Sequence, residues 1–117
     1  MNKNNWYGQV TNENISNVAQ MILEKLEGRK YTWTESYEYA GFIPRTRVHQ
    51  ELENGTNGSP LSIWKSEELN HSGANFCDSY GVWRISPGFY VVINYNSITI
   101  ELQTPAQRKA YWQITLE

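Results

Sequence analysis

The stretch TWTESYEYAGFIPRTRVHQEL, residues 32–52, decides how the chain is read. Thr32 and Glu35 have the Thr-x-x-Glu spacing of a capping box, in which each side chain satisfies an orphan backbone N–H at a helix start. Gly41 suits the left-handed residue that ends a helix, and Pro44 suits the first position of the next one. These signals predict a short strand over 29–32, a helix over 34–40, a turn at Gly41, and a helix over 44–53 that stops at Asn54-Gly55. Two short helices joined by a Gly-containing turn form a helix-turn-helix signature. Val48 and Leu52, four apart, define the buried side of the second helix. Thr46, Gln50 and Glu53 then point away from that side, with Arg47 and His49 on the flanks and Arg45 nearer the core boundary.

Upstream, Ile15, Val18, Ala19, Ile22, Leu23 and Leu26 fall on the stripe of an amphipathic helix that Asn12 or Asn14 can cap and Gly28 stops. That stripe reads as core packing. Residues 1–11 are polar around Trp6, Tyr7 and Val10, either a frayed arm or an extra edge strand. Downstream, strands are predicted over 61–65, 81–85, 88–93, 98–103 and 110–116, with a long polar loop over 66–80. Ile98, Ile100 and Leu102 alternate with Thr99, Glu101 and Gln103, and Asn94-Tyr95-Asn96-Ser97 makes a hairpin turn. The fold class implied is α+β in a single domain. An N-terminal three-helix, winged-helix-like layer (12–54) packs on a four- to five-stranded antiparallel sheet (61–117).

Composition narrows the function classes. With 10 basic and 12 acidic residues, a net charge of -2 excludes a strongly basic nucleic-acid coat but leaves room for a local basic patch. At 39% hydrophobic and 19% charged, the chain is too apolar to be disordered. Cys77 stands alone, so it makes no internal disulfide and no cysteine cluster for zinc. MNKNNWYGQV lacks the apolar run of a signal peptide, and no stretch reaches the ~18 apolar residues of a membrane span. The expectation is a soluble, cytoplasmic protein with no membrane partner.

The order helix, short strand, helix, turn, helix, then a hairpin ending in GVWRI resembles a winged helix. VAQMILEKL, YTWTESYEYA, PRTRVHQEL and GVWRISPG carry the likeness, over roughly residues 14–88. Specifically, they resemble the small winged-helix domains attached to restriction endonucleases and chromatin factors, of the HARE and Mrr N-terminal type. Two departures stand beside it: a long insertion between PRTRVHQEL and GVWRI, and about thirty further residues after the wing. The resemblance implies DNA as partner. The third helix would lie in a major groove, with Arg45, Thr46, Arg47, His49 and Gln50 facing phosphates and base edges, and Arg29, Lys30 or Lys65 holding phosphates. Glu35, Glu38, Glu51 and Glu53 nearby oppose that attraction.

Catalytic constellations are thin, and the expectation is a protein without enzymatic activity, metal or cofactor. His49 and His71 are the only histidines and lie on different predicted elements, so an acid/base pair finds no support. Asp78 with Glu101-Leu102-Gln103 has the outline of a nuclease metal site, but Gln103 stands where lysine is needed. Cys77 with His71 six residues earlier suggests a thiol and a base without showing a thiolate-stabilising setting. Residues 55–58 lack the tail of a phosphate-binding loop. Trp33, Trp64, Trp83 and Trp112 fall on or beside predicted strands and read as core. Tyr37, Tyr39, Tyr80, Tyr90 and Tyr95 cannot all be buried and could share a recognition face.

Three functions follow. The first is a small DNA-binding protein, regulatory or accessory to a mobile element or defence system. The second is a protein-binding inhibitor, of the immunity or phage anti-defence kind, acting through an aromatic and acidic surface. The third is a small-ligand binder that stacks a base or sugar on Trp and Tyr. Pairing of the C-terminal hairpin across a homodimer is open.

Overall fold

In the computed structural model, which describes residues 5–103 and 109–117, the stretch 32–52 is a β-hairpin. Its strands are β2 (Lys30–Tyr37) and β3 (Arg45–Glu51), joined through one 3-10 turn at Glu38–Ala40. Tyr31, Trp33 and Glu35 are buried, while the residues between them are not. Aromatic and β-branched residues alternating at a period of two fit a pleated strand. That period overrides the capping-box spacing, and Glu35 bonds Tyr37 and Arg47 instead of a helix start. The Gly41 signal is real but closes a single turn. With φ of 69°, Gly41 donates its N–H to Glu38 O, and Phe42 donates to Tyr37 O at 2.9 Å.

Two expected helices are therefore strands, which overturns the three-helix, helix-turn-helix layer on a small sheet. Among the described residues there is one α-helix, α1 (Ile15–Leu26), and nine strands. Besides β2 and β3 these are β1 (Trp6–Gln9), β4 (Leu61–Ser66), β5 (His71–Cys77), β6 (Val82–Ile85), β7 (Tyr90–Ile93), β8 (Ser97–Gln103) and β9 (Lys109–Leu116). Residues 6–9 adopt the edge-strand alternative, and the stripe of α1 is buried at Ile15, Val18, Ala19, Ile22 and Leu26 as its spacing predicts. The polar loop expected over 66–80 instead contains β5, whose small residues Ser72, Gly73 and Ala74 are buried. A Cβ on Gly73 would come within 2.6 Å of the Trp64 indole nitrogen, so glycine is what lets Trp64 lie across this strand.

One antiparallel sheet has the order β1-β7-β8-β9-β2-β3, and the other has the order β4-β5-β6. Cross-strand pairing lines up two inward rows on the large sheet. One runs Trp33, Ile114, Ile98, Ile93 and Trp6; the other runs Glu35, Trp112, Ile100, Val91 and Gly8. The buried face of α1, Ala74, Phe76 and Ile85 of the small sheet, and the isoleucines of the first row form one core. The sheets meet at a corner. Leu52, just beyond β3, bridges Asp78, Ser79 N–H donates to Glu51 O, and Ser79 Oγ bonds Gln50 Oε1.

A cleft between the sheet edges

The corner leaves a cleft of about 740 Å³, within the range of small-molecule sites. β2 supplies Trp33, Glu35 and Tyr37, and β3 supplies Arg47 and Gln50. Ile100 and Trp112 of the large sheet and Phe89 before β7 complete one side. Asn75, Asp78 and the run Tyr80 to Arg84 along β6 and its preceding turn form the other. Both β3 and β6 are edge strands, so the cleft opens where neither sheet has a further strand.

A β-bulge shapes the β3 wall. Tyr31 pairs with Gln50 but Trp33 pairs with Arg47, so Val48 and His49 oppose Thr32 alone. His49 takes φ of 61° to make this possible. The extra residue turns Gln50 inward, where it is 7% exposed and bonds Val48 O and Ser79. It also turns His49 outward, 3.0 Å from the Glu117 carboxylate.

Two parallel relays fix the aromatic walls. Trp83 Nε1–H donates to Tyr31 Oη at 3.4 Å, and Tyr31 O–H donates to Asp78 Oδ2 at 2.8 Å. Asp78 Oδ1 accepts the backbone N–H groups of Tyr80 and Gly81, which holds the β5–β6 turn. In the second relay, Trp112 Nε1–H donates to Tyr37 Oη at 3.3 Å, and Tyr37 O–H donates to Glu35 Oε2 at 3.1 Å. Burial raises the Tyr31 hydroxyl far above its ordinary pKa; the Trp83 hydrogen bond opposes this and the Asp78 carboxylate adds to it. Burial raises Tyr37 as well; the Trp112 hydrogen bond opposes this, and the Glu35 carboxylate and nearby Tyr39 add to it. Both phenols thus stay protonated donors at neutral pH. The relays commit the indole N–H edges of Trp83 and Trp112, both of which line the cleft.

Around the relays sit two aromatic clusters. Trp83 stacks on Phe76 at 4.3 Å between centroids and tilts against Trp33 at 5.2 Å. Trp112 stacks on Phe89 at 5.9 Å with Tyr37 edge-on at 6.0 Å. Arg47 ties the sheets together, its guanidinium 3.7 Å from the Tyr80 ring centroid and 3.5 Å from Glu35 Oε1. Glu35 is 8% exposed, so this paired carboxylate lies at the bottom of the cleft.

The residues expected to meet DNA do not form one face. Arg47 and Gln50 enter the cleft, and His49 pairs with Glu117. Thr46 bonds Thr34 through their hydroxyls. Arg45 and Lys30 sit opposite Glu35 and Glu51, respectively, near opposite ends of β2, and Arg29 reaches Glu117 O. Lys65 belongs to the small sheet.

The catalytic pairings also separate. His49 is on β3 and His71 on β5, beside Trp64. His71 and Cys77 begin and end one strand, about 20 Å apart at an extended rise. Glu101 alternates with the inward Ile100 and so lies on the outer face, whereas Asp78 bonds the inward Tyr31. No cluster of metal-ligating side chains occurs among the described residues. No helix among them is long and apolar enough to cross a membrane.

Sequence reasoning had Tyr37 and Tyr80 among candidates for a recognition face, but it missed Glu35, Arg84 and Phe89 as cleft residues and left Trp33, Trp83 and Trp112 in the core. The usable signal was Trp33-x-Glu35-x-Tyr37, whose i, i+2, i+4 spacing puts all three on one strand face. Comparison with protein-family models, with curated proteins and with solved structures finds no match to this chain.

Proposed function

We propose that this protein is a binding module that holds a small, flat-faced polar ligand, a sugar ring or a base, in the cleft between its two sheets. The observation that carries this reading is the pair of Trp–Tyr–carboxylate relays. They fix two indoles by their N–H edges and turn aromatic surface toward a cavity of ligand size. Pre-set aromatic faces bind flat ligands with little loss of side-chain freedom on binding. One unpaired Cys77 suits a reducing, cytoplasmic setting.

A thermal-shift screen of sugars and nucleosides tests the proposal. A ligand at a hundredfold its Kd stabilises the fold by about 2.7 kcal/mol, enough to raise Tm by several degrees. The expected hits lose their effect in Trp112→Leu and in Tyr80→Ala, the second at a 64%-exposed position. Hits that survive both substitutions would place the ligand elsewhere.

A second reading has its own observation. At the β2–β3 turn Tyr39 and Ile43 are 68% and 70% exposed, with Phe42 beside them against Tyr111. Apolar side chains this exposed at a hairpin tip suit contact with a partner protein, as an inhibitor would make. DNA binding ranks below both, because its motivating helix is a strand and Arg47 is held by Glu35.

A further inference from the structure

Resting on the ligand-binding reading of the cleft, we infer that its ligand is an uncharged oligosaccharide of at least two rings. Charge is the first reason. Glu35 and Asp78 oppose Arg47 and Arg84 among the lining residues, so the wall carries two charges of each sign. A phosphate or carboxylate would be desolvated beside Glu35, and an ammonium beside Arg47; a neutral ligand meets neither penalty.

Hydrogen-bonding capacity is the second. The Arg47–Glu35 contact is a single long one at 3.5 Å, and the Arg47 side chain is 35% exposed. Glu35 accepts one bond at each oxygen, from Tyr37 and from Arg47, which leaves lone pairs over, and Arg47 keeps unused N–H donors. A hydroxyl donates and accepts at once, so neighbouring hydroxyls can bridge such a pair from either orientation. A base edge has a fixed donor and acceptor pattern and meets the pair in one register only.

Geometry is the third. Trp83 and Trp112 are two half-buried indoles that line the cleft, each tied through a tyrosine to its own carboxylate. Aromatic faces are electron-rich and attract the C–H face of a sugar ring. Two such indoles in one open cleft seat two successive rings.

Calorimetric titration of the full chain with cellotetraose, maltotetraose and chitotetraose, with glucose, and with adenosine and uridine tests this. At least one tetrasaccharide is expected to bind at one per chain, about tenfold or more tighter than glucose. Its affinity should not change between low and high salt. Trp83→Leu and Tyr80→Ala should each weaken it about tenfold, while Trp64→Leu, outside the cleft, leaves it unchanged. Binding of adenosine or uridine without any saccharide overturns the inference and leaves the cleft as a ligand site. Equal binding of glucose and the tetrasaccharides overturns the two-ring claim, and silence from every probe overturns both this inference and the reading beneath it.

Discussion

At the scale of single residues, Tyr31 joins the core to the cleft. It is fully buried, yet its hydroxyl both accepts from Trp83 and donates to Asp78. Its raised pKa makes stability depend on pH in one direction. Up to about pH 10 the phenol keeps its proton in both folded and unfolded chains. Above that the unfolded chain ionises while the folded chain does not, so stability falls as pH rises from about 10. Tyr31→Phe should cost about 1–3 kcal/mol at neutral pH, because Asp78 and Trp83 each lose a buried partner. The same variant should show a shallower decline in alkali. Urea denaturation at neutral and alkaline pH reads both, and an unchanged alkaline slope would show that Tyr31 is not the group concerned. Glu35→Gln, by contrast, should cost no more than about 1 kcal/mol, because Arg47 is partly solvated and the contact is long. A loss several times larger in the same denaturation series would mean that the pair is far more desolvated than its exposure implies.

At the scale of elements, β5 makes the sharpest prediction. Gly73→Ala places a methyl into the Trp64 indole and should cost about 1–3 kcal/mol. In a Trp64→Ala background that penalty should vanish, which a double-mutant cycle in urea measures directly. An equal cost in both backgrounds would place the glycine's role in the backbone instead. The same strand shows why sequence alone misleads. His71–Cys77 carries small and polar residues where strand statistics look for branched and aromatic ones, so a buried central strand reads as a loop. Residues 32–52 show the opposite failure. The cap, the glycine and the proline all read as helix punctuation, and Gly41 does take the left-handed conformation. Turn chemistry is shared by helix ends and hairpins, however, and only the inward alternation of Tyr31, Trp33 and Glu35 separates the two. The stripe of α1 and the alternation of Ile98, Ile100 and Leu102 in β8 were legible because each repeats its period explicitly, whereas the four-residue β6 and β7 were marked by the turn residues around them. The bulge at Val48 and His49 leaves no mark in composition, so Gln50 could not be placed inside from the sequence.

At the scale of the whole molecule, the cations expected to meet DNA are dispersed. Arg29, Lys30 and Arg45 lie along the large sheet with carboxylates opposite or beside them, and Lys65 sits on the other sheet. Few phosphates could be neutralised together by such a surface. No retardation of duplex DNA in a gel is expected even at low salt, and a shift that weakens steeply with added salt would return nucleic acid to first place. What the molecule does concentrate is aromatic surface at the corner where two sheets fail to close. Three of the five tryptophans line that cleft, whereas Trp6 and Trp64 do not. The five indole N–H resonances of a 15N-labelled sample therefore carry both the probe and its internal control. On titration with a ligand found by the thermal-shift screen, the signals of Trp33, Trp83 and Trp112 should move together while those of Trp6 and Trp64 stay in place. Movement confined to Trp6 or Trp64, or none at any of the five at saturation, would contradict a binding site between the sheets.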